Sequence, residues 1–180
     1  MPNYGISNSN LSFGSAQTTA STSYQPAIMT QPSSGSALVS PPANNGLKRV
    51  KWYDVLVGTN GTPADSYVEY SIIRTTIGST LTWTGTLSSA SSAFTLDPAD
   101  TGFQCFCTIN ASQGSSASYS VGAEPWYVGV NQRASYRWVA APGSEIVSPA
   151  TSSATTFSGL ALRFRGTLTT TVTGNVLFSE

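Results

Sequence analysis

From Leu47 to Glu180 the chain is a succession of short β-type runs, each stopped by a cluster of Gly, Pro, Asn or Ser. "LKRVKWYDVLVG" is rich in Val, Trp and Tyr and ends at "GTNGTPAD". "SYVEYSIIRTTI" follows, with Tyr67, Ile73 and Ile77 on one face of an extended strand and Val68, Tyr70 and Ile72 on the other. "TLTWTGTL" alternates Leu81, Trp83 and Leu87 with threonines. "FQCFCTIN", "PWYVGV", "ASYRWVA", "GLALRFR" and "TLTTTVTGNVLF" complete the series. β-branched and aromatic runs between turn formers read as strands. About eight or nine strands at this spacing predict an all-β fold, a β-sandwich or jelly-roll-like domain over 47–180. One helical signal is present: in "LDPADTG", Asp97 is placed to cap, Pro98 suits the first helical position and Gly102 ends a single turn. No internal repeat is evident.

Residues 1–46 read differently. All sixteen charged side chains lie from Lys48 onward. The first segment is polar and rich in Ser, Thr, Asn, Gly and Pro, with isolated large apolar residues: Tyr4, Ile6, Leu11, Phe13, Tyr24, Ile28, Met29, Leu38 and Val39. These are too sparse to form a core of their own. A solvated tail is one reading. The expectation adopted is a long extended arm that orders on a partner, with Tyr4, Ile6, Phe13, Tyr24, Ile28 and Met29 each filling a small pocket. "SPPANNG" marks the boundary as a stiff spacer and a turn.

Charge and composition exclude several function classes. Charged residues make up 9 % of the chain, against about 25 % in an average soluble protein. Formal net charge is zero, so no global field steers the chain to nucleic acid or an anionic membrane, and neither is an expected partner. A near-neutral surface suits a protein that lives in an assembly. With no histidine, Ser-His-Asp and Cys-His chemistry and most zinc sites are ruled out. No apolar run reaches the length of a membrane helix. The N-terminus lacks the pattern of a secretory leader, which points to the cytosol as the place of synthesis. On that reading the Asn-x-Ser/Thr triplets at Asn10, Asn60 and Asn110 are chance matches.

Candidate chemistry is sparse. Cys105 and Cys107 alternate with Phe103 and Ile109 on one strand face, and a buried thiol stripe is the expectation. A bridge between them would strain an extended strand. Zinc takes about four ligands, and no further cysteine exists. No metal or cofactor is expected. Eight carboxylates are present, and a hydrolytic pair of them is a matter of three-dimensional placement. Asp65, Asp97 and Asp100 sit in turn contexts, and "GTNGTPADS" lacks the lysine of a phosphate loop. A non-enzymatic protein is the expectation. The arginines fall in groups. Arg133 and Arg137 flank Ser135, with Tyr136 and Trp138 facing the opposite, core-ward side; Arg163 and Arg165 have Leu162 and Phe164 behind them. They are either a solvated face paired with carboxylates such as Glu124 and Glu145, or a ladder that grips acids of another subunit.

Four segments, in order, resemble small structural proteins of tailed double-stranded DNA bacteriophages. They are "LKRVKWYDVLVGTNGTPADSYVEYSIIRTT", "LDPADTGFQCFCTINAS", "EPWYVGVNQRASYRWVAAPGSEIVSPATSS" and the ending "TLTTTVTGNVLFSE". The resemblance spans roughly 47–180 and rests on turn and strand signatures; residues 1–46 do not contribute. It implies a β-sandwich virion protein, a cement or decoration protein on the outer capsid. Its partners would be the major capsid protein and further copies of itself, as a homodimer or homotrimer. The alternative is a tail or head-fibre module that binds a host-surface glycan, with Trp126, Tyr127, Tyr136 or Trp138 stacked on sugar rings.

Overall fold

A computed structural model describes residues 3–7, 17–18, 25–32, 49–60, 65–78, 93–97, 99, 105–109, 120–121, 123–149, 156–166 and 171–179. The strands are β1 (Asn3–Ser7), β2 (Gln17–Thr18), β3 (Gln25–Pro32), β4 (Lys51–Asn60), β5 (Tyr67–Gly78), β6 (Ala93–Thr95) and β7 (Cys105–Ile109). After them come β8 (Ser120–Val121), β9 (Trp126–Asn131), β10 (Tyr136–Val139), β11 (Ile146–Val147), β12 (Thr156–Gly166) and β13 (Thr171–Ser179). None of the described residues is helical.

The strands form two antiparallel sheets. Sheet A runs β10-β4-β13-β1-β6, with β11 beside β10 on β4, and β2 on β13. Sheet B runs β7-β3-β12-β5-β8, with β9 beside β8 on β5. The longest ladders join β12 to β5 and β13 to β4. Their length follows from sequence: "TFSGLALRFRG" and "YVEYSIIRTTIG" contain no proline, so nothing interrupts the hydrogen-bond row.

The core lies between the sheets. Trp52, Val55, Val57, Val176 and Phe178 from sheet A meet Ile28, Val68, Tyr70, Ile72, Leu160, Leu162 and Phe164 from sheet B. Burial of these side chains is the main driving force, at roughly 1.5–3 kcal/mol for each large apolar group. The polar handles of the buried aromatics are satisfied across the sandwich. Trp52 Nε1 donates to Thr30 Oγ1 at 2.8 Å, and the Tyr70 hydroxyl donates to the Gly58 carbonyl at 2.7 Å. Each bond crosses from one sheet to the other, so it fixes their relative position as well as removing a desolvation penalty.

One bulge sets which residues of β4 face inward. Pairing with β13 shifts between Leu177 opposite Asp54 and Phe178 opposite Trp52, so Tyr53 is the extra residue. Val50 and Trp52 therefore share the inner face with Val55 and Val57, while Asp54 and Leu56 point outward. The apolar spacing 50, 52, 55, 57 already contains the extra step.

The N-terminal segment departs from the expected arm. β1 lies inside sheet A, between β13 and β6, and β3 lies inside sheet B, between β12 and β7. Tyr4, Ile6 and Ile28 are fully buried in the chain's own core, and the Tyr4 ring sits 5.6 Å from that of Phe178. They are not available to fill pockets on a partner. The backbone of Met29 is paired on both sides, opposite Thr108 and Ala161. Phe13 and Tyr24 lie outside the described residues. The sandwich thus draws on both sides of the expected boundary at 46/47. The physical reason is the position of these strands: a strand paired on both edges and packed on the core needs no charge, so a charge-free stretch is compatible with the middle of a sheet.

Other expectations fall differently. "LDPADTG" is described only in part: the Asp97 carboxylate accepts a hydrogen bond from the Ala99 amide at 2.9 Å, the local cap expected of it. Cys107 lies opposite Thr30 and Cys105 opposite Pro32; their side chains, like the whole of "TLTWTGTL", lie outside the described residues.

Candidate interaction surface

β9 and β10 carry the chain from the edge of sheet B to the edge of sheet A, so 126–139 forms a corner of the sandwich. Strand alternation sorts their side chains. On β9, Trp126, Val128 and Val130 turn toward the core while Tyr127, Gly129 and Asn131 are exposed. On β10, Trp138 lies opposite Val55 and Tyr136 opposite Val57, the inward positions of β4. Trp138 packs against the core, but Tyr136 stays 41 % exposed. The expected core-ward direction holds for both residues. Full burial does not, because an edge strand has no neighbour to cover its outer flank. Tyr136 instead meets Trp126, their rings 6.0 Å apart and tilted by 44°.

Two polar turns hold the corner. Asn131 Oδ1 accepts from the Arg133 amide at 2.8 Å, and the Gln132 amide donates to the Ser66 carbonyl at 2.9 Å. Thr59 Oγ1 donates to the Gln132 carbonyl at 2.5 Å. Beyond β10, "APGSE" turns the chain into β11, as its Pro-Gly pair leads one to expect. Gly143 has φ of 83°, a left-handed conformation that glycine adopts without strain. Its amide donates to the Glu145 carboxylate at 3.0 Å. That bond, helped by Lys51, lowers the Glu145 pKa below the ordinary carboxylate value.

The four arginines, read from sequence as either a solvated paired face or a subunit contact, each have a carboxylate within the chain. Arg133 pairs with Asp65 at 2.7 Å, both largely exposed. Arg137 makes a forked pair with Asp54, Nε to Oδ1 at 3.0 Å and Nη2 to Oδ2 at 2.5 Å. The Asp54 hydrogen bond and charge raise the Arg137 pKa further. Arg163 reaches Glu124 at 3.2 Å and donates from Nε to Ser71 Oγ at 2.8 Å. Arg165 pairs with Glu69. These are the pairings of a self-satisfied sheet face, with Glu124 in the role foreseen for it and Glu145 capping a turn instead. They do not form one ladder: Arg133 sits in the turn before β10, Arg137 is on the outer face of sheet A, and Arg163 and Arg165 are on the outer face of sheet B. Arg74 lay outside the sequence candidates; its Nε donates to the Val147 carbonyl at 3.1 Å and ties β5 to β11 across the sheets.

Besides Tyr136 and Leu96, the exposed large apolar and aromatic side chains among the described residues form two groups. Leu56 and Val139, 44 % and 58 % exposed, stand on the outer face of sheet A beside Arg137. Next to them a shallow cavity of about 410 Å³ lies under the 132–135 turn, between Gly58, Ser135 and Thr173. Tyr67 and Tyr127, each 52 % exposed, stand on the outer face of sheet B. Tyr67 was not a sequence candidate. Its place beside Glu69 and Ser71 on the polar face of β5 was the available signal. Among the described residues, no cluster of His, Cys, Asp and Glu suits a metal ion.

No protein-family model matches the chain, and neither the curated proteins nor the solved structures provide a match.

Proposed function

We propose that the protein is a non-enzymatic virion structural protein, a cement or decoration protein that binds neighbouring major capsid subunits on the outer shell. The carrying observation is where the family-like stretch lies. "EPWYVGVNQRASYRWVAAPGSEIV" forms β9, the exposed corner, β10 and β11, and so places its sequence signature on edge strands at the surface. The described carboxylates also favour binding over hydrolysis. Asp54, Asp65, Glu69 and Glu124 are held by arginines, while Asp97 and Glu145 cap turns.

The contact assigned to this role is the sheet A side of the corner, with Leu56 and Val139 exposed beside a neutralised Arg137–Asp54 pair. Exposed strand edges there also favour self-association into a dimer or trimer. Tyr4, Ile6 and Ile28 have no part in this contact, since they are core residues.

The test is co-sedimentation of the purified protein with expanded capsids of its own phage, followed by electron cryomicroscopy of the particles. Density on the outer shell, lost with Val139→Asp while the variant stays folded, is the expected result. Density confined to the tail, or capsid binding untouched by Val139→Asp, overturns it.

A further inference from the structure

The outer face of sheet B carries a ledge that the capsid reading does not use. In the β5–β9 ladder Tyr67 lies opposite Asn131, Glu69 opposite Gly129 and Ser71 opposite Tyr127. Tyr67, Glu69 and Ser71 face the same way as Tyr127, Gly129 and Asn131, away from the core. The two tyrosines are thus diagonal, about 14 Å apart at their Cα atoms from ordinary strand geometry. Between them Gly129 leaves a low floor. A Cβ there would meet only the Tyr67 ring, at 3.9 Å, so that ring leans over the glycine.

The middle of the ledge is polar but uncharged as a whole. Glu69 pairs with Arg165 and lies close enough to the Tyr127 hydroxyl to influence it. Local desolvation first, then the nearby Glu69 carboxylate, pushes the Tyr127 phenol above its ordinary pKa. On the next row Arg163 and Glu124 cancel each other. Arg165 remains 43 % exposed on β12, on the other side of Glu69 from β9.

We propose that this ledge binds an uncharged oligosaccharide chain. Tyrosine rings offer flat apolar faces for the C–H faces of hexose rings and a polar tip for their hydroxyls. Cancelled charges give a cationic or anionic ligand no advantage, which makes an uncharged polyhydroxylated chain the electrostatic complement. Ionised groups held in place nevertheless form stronger hydrogen bonds with hydroxyls than neutral ones do. The separation of the rings requires a ligand several sugar units long, because one hexose cannot cover both. A protein partner would call for anchor residues clustered in one well-packed centre. Here the two rings are split by a glycine, and the exposed aliphatic residues Leu56 and Val139 stand on the other sheet.

The experiment titrates the full chain with neutral hexose oligomers, the maltose and cellobiose series, by calorimetry and saturation-transfer NMR. Affinity in one series should rise with chain length. Tyr67→Ala and Tyr127→Ala should each weaken binding about tenfold, the order expected for one lost stacking platform. Gly129→Leu, which raises the floor, should weaken it as well, and Tyr136→Ala at the corner should leave it unchanged. Circular dichroism checks that the half-exposed tyrosine variants remain folded. No binding by either series in the millimolar range overturns the proposal, as does equal binding by Tyr67→Ala and wild type, or tighter binding of a sulfated oligomer. None of these assays contains a capsid, so failure here leaves the co-sedimentation result standing, and the reverse also holds.

Discussion

Trp52 and Tyr70 are fully buried between the sheets, whereas Tyr67, Tyr127 and Tyr136 stand about half exposed within a strand or two of them. The residue types are the same and the strands are neighbours, yet the outcomes differ. Inside, each polar tip has a fixed acceptor on the opposite sheet, Thr30 for Trp52 and Gly58 for Tyr70. Outside, Tyr127 stands near the Glu69 carboxylate and Tyr136 against a partly buried tryptophan. An aromatic ring is a core element where both faces are covered and its polar atom is answered; where one face stays open it is a surface available to a partner. Two positions separate these fates: the face of the strand, and the distance of the strand from the sheet edge.

The largest test of this contrast lies at the N-terminus. Tyr4→Ala removes a fully buried ring that packs on Phe178 in the centre of sheet A. It should destabilise the fold by about 3–5 kcal/mol, the range for truncating a large aromatic core side chain. Urea denaturation followed by tryptophan fluorescence measures it. Tyr136→Ala at the corner should shift the same curve far less. Equal small shifts would return Tyr4 to the surface class and restore the arm.

That test also marks where the sequence could be read and where it could not. The longer strands of 47–180 were visible because each carries several β-branched or aromatic residues between turn formers, whereas the short β6, β8 and β11 lie outside every expected run. β10 lies within the run expected for it, while β4, β5, β9, β12 and β13 overlap theirs and extend one to three residues beyond an end. Strand alternation placed Tyr136 and Trp138 on the core side of β10, but it carries no information about which strand is an edge, and so overstated the burial of Tyr136. β1 was missed because "NYGIS" offers only Tyr4 and Ile6 around a glycine, too short a pattern to distinguish from scattered residues. Its partners β13 and β6 lie at least 87 residues away, Ile6 pairing with Ala93 at the near end. Glu124 was foreseen as an arginine's partner, but which arginine meets which carboxylate was not legible, for the same reason. Arg163 and Glu124 are 39 residues apart and Arg137 and Asp54 are 83 apart, so local spacing says nothing of their meeting.

A smaller effect sharpens the interior side of the comparison. Tyr70→Phe keeps the ring and removes only the hydroxyl that donates to the Gly58 carbonyl. Leaving that carbonyl buried without its donor should cost about 1–2 kcal/mol in the same denaturation assay. Burial also raises the Tyr70 phenol well above its ordinary pKa, so the hydroxyl stays protonated and the bond persists through the alkaline range where exposed tyrosines ionise. An ultraviolet titration should therefore show Tyr70 silent until the protein unfolds, while exposed tyrosines respond earlier.

The arginines allow the same contrast among charges. The Arg163 side chain is 11 % exposed and shared between Ser71 and Glu124, whereas that of Arg133 is 60 % exposed and faces an open Asp65. Arg133→Met should change stability by less than about 0.5 kcal/mol. Arg163→Met should cost more, because Ser71 lies buried and loses its donor. Thermal melts at low and high salt separate the two: the Arg133 contribution fades with salt, and the Arg163 contribution persists because buried groups are poorly screened.

The smallest expected effect concerns the turn that closes the corner. Glu145 accepts the Gly143 amide, and its folded pKa lies below the ordinary 4.5 of a free glutamate. Between the two values the unfolded chain binds more protons than the folded one, so stability rises with pH there. The contribution is complete above the unfolded value and disappears as pH falls through the folded one. Glu145→Gln keeps an acceptor for Gly143 but removes the charge. Wild type should therefore melt slightly above Glu145→Gln at neutral pH, and the two curves should converge in acid. A gap that widens toward low pH would mean that the carboxylate repels its surroundings, and that the left-handed Gly143 alone holds the turn between β10 and β11.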